Sequence, residues 1–172
     1  MKKLILLVLL ISTSVVAQQE IDYSKHVTTV DSTIEALYSV ISGDKGEARD
    51  WDKFRYLFHE NAKLIPTRKT KDSKYVVTYM TPDDYIERAG KWLVENGFHE
   101  VEISRSTQTF GNITQVFSTY ESYKSKSDTE PFMRGINSIQ LLNDGRRWWI
   151  INIYWQQETD EHPIPEVYLP KN

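Results

Sequence analysis

The chain has 172 residues, with 21 Lys and Arg against 24 Asp and Glu, four His and no Cys. Without thiols there can be no disulfide, thiolate nucleophile, or Cys-ligated zinc or iron–sulfur centre. An acidic balance with no basic block argues against a phosphate-backbone ligand, so no nucleic-acid partner is expected.

The N-terminus has the layout of a cleaved secretory signal. Met1-Lys2-Lys3 is a short basic segment, Leu4 to Ile11 an unbroken apolar run, and Val15-Val16-Ala17 places small residues before a cut at Gln18. The apolar run is shorter than the about 20 residues a spanning helix needs. No Cys follows it to carry a lipid. These features predict an exported chain, periplasmic or extracellular. Its single domain is Gln18 to Asn172, with no stable membrane anchor after cleavage.

Val27, Val30, Ile34, Leu37, Tyr38 and Ile41 recur at helical spacing and predict a first helix ended by Ser42-Gly43. Asp50 can cap a short second helix with Trp51, Phe54, Leu57 and Phe58 on its apolar face. Short strands are expected over Ala62–Pro66 and Tyr75–Tyr79. A third helix starts at Thr81 (cap) and Pro82 (first position), carries Tyr85, Ile86, Ala89, Trp92 and Leu93, and ends at Asn96-Gly97. After Gly97 the period becomes two. Phe98–Phe110 and Ile113–Lys124 flank Gly111-Asn112, and Pro131–Leu142 and Arg147–Gln157 flank Asn143-Asp144-Gly145-Arg146, two hairpin patterns. His162 to Asn172, with three Pro, is expected to be an irregular tail.

Asp50-Trp51-Asp52-Lys53-Phe54, followed by Leu57-Phe58 and Ala62-Lys63-Leu64, resembles the second helix and following strand of nuclear transport factor 2-like (SnoaL-like) proteins. Gly145 to Trp149 with Ile150-Ile151 resembles their last hairpin. The resemblance covers about Ser24 to Glu158. It implies an α+β fold in which a cone-shaped, curled antiparallel β-sheet packs on three helices (nuclear transport factor 2-like or cystatin-like). It also implies a pocket between sheet and helices and, usually, a homodimer. The superfamily includes isomerases, dehydratases, cyclases and proteins without known activity, so it does not select a function.

Strand alternation assigns faces. With Gly111-Asn112 as a two-residue turn, Glu102 falls opposite Glu121. Like charges so placed need water, which puts Val101, Ile103, Arg105, Thr107, Val116, Ser118 and Tyr120 inside. With Asp144-Gly145 as the second turn, Arg134 faces Trp155, Ser138 faces Ile151 and Gln140 faces Trp149, and the family pattern turns that face inward. The expected ligand-binding set is therefore Arg105, Ser118, Tyr120, Arg134, Ser138, Gln140 and Trp155, flanked by Tyr56. Apolar walls with a few polar groups suit a small molecule, and two guanidiniums suggest an acidic one. The alternative for the arginines is structural, with Arg134 stacked on Trp155 and Arg105 paired with a loop carboxylate.

His59, at the end of the second helix, is the candidate catalytic residue, because members of the resembled family sometimes place catalytic groups there. A favourable helix-end charge explains it equally. His26, His99 and His162 are scattered, so no metal site is expected. No Gly-rich phosphate loop or nucleotide motif occurs, so no cofactor is expected. Members resembling ketosteroid isomerase need an inward carboxylate base, and this register supplies none. Three functions remain: a small-molecule-binding domain, a lyase or isomerase using His59, and a non-catalytic dimer whose last strand is apolar on both faces.

Overall fold

A computed structural model describes residues 21–171. The expected signal segment and its cleavage point lie outside the described residues. After a 3-10 turn at Ser24–Val27 come α1 (Val30–Ile41), α2 (Trp51–Leu57), β1 (Phe58–Lys69), β2 (Tyr75–Val77) and α3 (Pro82–Asn96). Four long strands follow: β3 (His99–Phe110), β4 (Ile113–Tyr123), β5 (Met133–Asn143) and β6 (Trp148–Gln157).

Each helix start is set by a side chain that accepts an otherwise orphaned backbone N–H. Thr29 caps α1 and Asp50 caps α2, and Thr81 with Asp84 forms a reciprocal capping box on α3, where Pro82 needs no donor. Gly97 ends α3 at φ 73°, a conformation open to glycine at little cost. Among the described residues no helix is long and apolar enough to cross a membrane.

The strands form one six-stranded sheet in the order β2-β1-β6-β5-β4-β3. It is mixed rather than antiparallel, because β1 runs parallel to β6. That pairing joins strands separated by five elements, so local pattern does not reveal it. Strand β1 is also longer than expected, extending at Thr67–Lys69 to pair with β2. The three helices cover the concave face. Ile34 and Leu37 of α1, Phe54 and Leu57 of α2, and Ile139 and Ile150 of the sheet are buried in one core.

Two bulges change the expected faces. In β3 the register moves from Ser104↔Thr119 to Glu102↔Tyr120, leaving Ile103 as the extra residue. In β6 it moves from Leu141↔Ile150 to Gln140↔Asn152, leaving Ile151 extra. The second turn is also wider than two residues, since Asn143 pairs with Trp148. The concave face consequently carries Glu100 and Glu102 of β3, Ser118 and Tyr120 of β4, Asn137 of β5, and Ile153 and Trp155 of β6.

Buried Arg49 fastens the helical layer. Its guanidinium donates to the carbonyls of Ile41 (2.9 Å), Gly43 (2.7 Å), Glu47 (2.5 Å) and Leu93 (3.1 Å), tying the end of α1 to α3. The tail crosses the outer sheet face. Tyr168 packs edge-on against Phe117, and its carbonyl accepts from Thr119.

Candidate functional site

A cavity of about 200 Å³ lies between the helices and the concave face. Leu37 and Ile41 of α1, Phe54 of α2 and Leu93 of α3 form its apolar side. Tyr85, Trp92, Phe98, Tyr120 and Trp155 make it strongly aromatic, and Glu100 and Asn137 are its polar groups. Gly135 makes room for Tyr120. A Cβ there would lie 2.5 Å from the Tyr120 hydroxyl and 2.5 Å from the Gln156 carbonyl oxygen.

Glu100 is half-buried as a residue, and its carboxyl group is enclosed. It accepts from Ser122 Oγ at 3.2 Å and Asn137 Nδ2 at 3.4 Å. Burial pushes its pKa up from 4.5 to about 7, against the pull of those two bonds. No ion pair to Glu100 forms among the described residues. Burial also raises the phenols of Tyr85 and Tyr120, and the nearby Glu100 charge adds to this. Neither hydroxyl has a protein hydrogen-bond partner among the described residues, and both tyrosines line the cavity.

A hydrogen-bonded chain supports this wall from behind. Asn137 Nδ2 also donates to Tyr38 Oη (3.1 Å), and Tyr38 Oη meets Ser118 Oγ at 2.6 Å. Ser118 Oγ donates to Glu102 Oε1 (2.5 Å), which accepts from Arg105 Nε at 2.8 Å. Arg105 Nη1 also reaches Asp31 at 2.5 Å. Asn137 is thus held in one orientation, with one N–H on Tyr38 and the other on Glu100. Glu100 further borders an outer groove of about 570 Å³ that runs past Tyr38, Glu102 and Arg105.

Of the residues expected to bind a ligand, Tyr120 and Trp155 line the inner cavity, and fully buried Ser118 stands directly behind it. Arg105 lies in the outer groove, paired with Glu102 and Asp31. Arg134, Ser138 and Gln140 are corrected to the opposite sheet face. There Arg134 pairs with Glu158 at 2.7 Å and with Glu121 at 3.9 Å, while Gln140 donates to Ser138. Tyr56 packs under the guanidinium of Arg147, 4.0 Å from its ring centroid. His59 belongs to β1 rather than to a helix end and meets Trp149 edge-on at 5.9 Å. Neither Tyr56 nor His59 lines the cavity.

Sequence reasoning missed Glu100, Asn137 and Tyr85, and it put Glu102 outside. The register of β3 against β4 shifts between Glu102 and Ser104, and a bulge there reverses every assignment beyond it. Among the described residues no cluster of three His, Asp or Glu is placed to hold a metal ion.

No family model matches the sequence, and no curated protein matches it. Solved structures match the fold. A protein of unknown function with a cystatin-like fold from Nostoc punctiforme superposes with TM-score 0.57 at 7% identity, covering 76% of this chain and 90% of that one. A nuclear transport factor 2-like protein of unknown function from Silicibacter pomeroyi gives 0.55 at 13% identity, covering 80% and 100%. A candidate ketosteroid isomerase from Parabacteroides distasonis gives 0.52 at 12% identity, covering 80% and 98%. Three helices over the concave face of a curled, unclosed six-stranded mixed sheet, with these neighbours, give the chain the nuclear transport factor 2-like fold.

Proposed function

We propose that this protein binds a small, mainly apolar molecule in the inner cavity and engages its polar group through Glu100, Asn137 and the hydroxyls of Tyr85 and Tyr120. The observation that carries this reading is an enclosed carboxyl group in an aromatic cavity with no basic side chain against it. Burying such a group costs stability, and a bound ligand can recover part of that cost.

The test is a thermal-shift screen of monocyclic molecules. A ligand at about 100 times its dissociation constant adds roughly 2.7 kcal/mol, which is about 5 to 10 °C for a chain of this size. Hits should disappear in Ala89→Phe, which fills the cavity, and persist in Lys126→Ala, which alters only the outer groove. Hits that follow Lys126 instead would move the site out of the cavity.

A second reading is isomerase-type proton transfer. It is favoured by the Glu100 carboxyl titrating at about 7 beside two free phenols, since a base poised near working pH transfers protons efficiently. The candidate ketosteroid isomerase shares only the fold with this chain. This reading predicts deuterium uptake from D2O into a monocyclic enone such as cyclohexenone, lost in Glu100→Gln. An unlabelled enone would count against it.

A further inference from the structure

We infer that the inner cavity selects an organic cation: a primary or secondary ammonium on a small cyclic or branched apolar body, with its nitrogen on Glu100. The inference rests on the binding reading of the same cavity and adds the sign of the ligand's charge. An acidic ligand, suggested by the two arginines in sequence, does not suit the structure. Arg105 is already neutralised by Glu102 and Asp31, and Arg134 by Glu158 on the other sheet face.

Three features favour a cation. The first is Glu100 itself, the cavity's one carboxylate and without a cationic partner among the described residues. The protein has already met much of the cost of desolvating it, so an arriving ammonium adds mainly its own. The second is the aromatic wall. Ring faces attract cations, more strongly where water is excluded, and Tyr85, Trp92, Tyr120 and Trp155 all border the cavity. The third is hydrogen bonding. An ammonium carries several N–H donors, and it would find acceptors in the Glu100 carboxylate and in the unpartnered oxygens of Tyr85 and Tyr120. Tyr120 is 2% exposed and lines the cavity.

Size sets the body of the ligand. An apolar cavity of roughly 150 Å³ holds benzene, so about 200 Å³ takes a ring with a one- or two-atom arm. The outer groove that borders Glu100 also carries Glu35 and Asp128 against Lys126, with Arg105 and Glu102 paired to each other.

The charge requirement makes binding pH-dependent. The titratable groups that line the cavity or the groove with Glu100 are Glu35 and Tyr38 of α1, Tyr85 of α3, His99, Glu102 and Arg105 of β3, Tyr120 and Tyr123 of β4, and Lys126 and Asp128 after β4. The phenols of Tyr38, Tyr85 and Tyr120 are raised and stay neutral. Burial raises the Glu100 carboxyl to about 7, so its charge changes near neutrality. Affinity for an ammonium should fall about tenfold per pH unit below 7 and level off above it.

The experiment is calorimetric titration of the folded protein with benzylamine, benzyl alcohol and benzoate at pH 5.5 and pH 8. The expected result is that benzylamine binds at least about tenfold more tightly than benzyl alcohol at pH 8 and weakens at pH 5.5. Benzoate should not bind. Glu100→Gln, checked for native circular dichroism, should abolish the preference for the amine over the alcohol. Benzyl alcohol equal to or tighter than benzylamine at pH 8 overturns the cation inference but leaves the cavity a binding site. A benzylamine affinity unchanged in Glu100→Gln also overturns it. Failure of all three probes overturns the inference and the binding reading together.

Discussion

Replacing Glu100 with Gln should stabilise the protein at alkaline pH and not at acidic pH. In the folded chain the carboxyl holds its proton up to about 7, whereas the ordinary value for a free chain is 4.5. The folded state therefore binds more protons than the unfolded state between these values, and stability falls as pH rises through that window. The stabilising neutral form is fully present below 4.5 and lost above about 7. At 1.36 kcal/mol per pH unit the whole window is worth about 3 kcal/mol, of which about 2 to 3 lies between pH 5 and pH 8. Gln has the same shape and no charge. It can keep only one of the bonds from Ser122 and Asn137, a loss of about 1 kcal/mol at any pH. Urea denaturation of both proteins at pH 5 and pH 8 separates the two effects. The variant's stability relative to the parent should rise by about 2 to 3 kcal/mol from pH 5 to pH 8, or roughly 5 to 10 °C in melting temperature. A difference that is the same at both pH values would show that Glu100 ionises normally in the fold, and would refute the description of the cavity.

Gly135→Ala should cost about 1 to 3 kcal/mol, because its Cβ would meet the Tyr120 hydroxyl and the Gln156 carbonyl at 2.5 Å; thermal melting gives the loss, and near-ultraviolet circular dichroism reports displacement of Tyr120. Tyr38→Phe leaves Ser118 and Asn137 without a shared partner and should cost about 1 to 3 kcal/mol, measured by urea denaturation, while also releasing Asn137 from its orientation toward Glu100. Arg49→Ala strips the donor from four carbonyls and should cost about 4 kcal/mol; a loss under about 1 kcal/mol in denaturation would mean that water replaces the guanidinium without penalty.

The local grammar of this chain is carried by single residues, and the sequence by itself determines it. Thr81, Pro82 and Asp84 start α3 with their own side chains and ring, Asp50 starts α2, and Gly111 and Gly145 supply the positive φ their turns need. These interactions span a few residues, so the order of helices and hairpins is legible without tertiary information. Tyr120 and Trp155 lie on the concave face, the one that alternation assigned to each. The rest of the site was decided by the closed structure. Which residue of β3 or β6 bulges is set by how the whole sheet curls against the helices, and one extra residue reverses all faces beyond it. Ile103 and Ile151 therefore decide that Glu100, Glu102 and Asn137 point inward while Arg134, Ser138 and Gln140 point outward. The parallel pairing of β1 with β6 brings Leu64 against Ile153 to close the cavity floor. That contact, like the burial that raises the Glu100 pKa, exists only when distant strands and helices meet, since desolvation belongs to a surrounding and not to a residue.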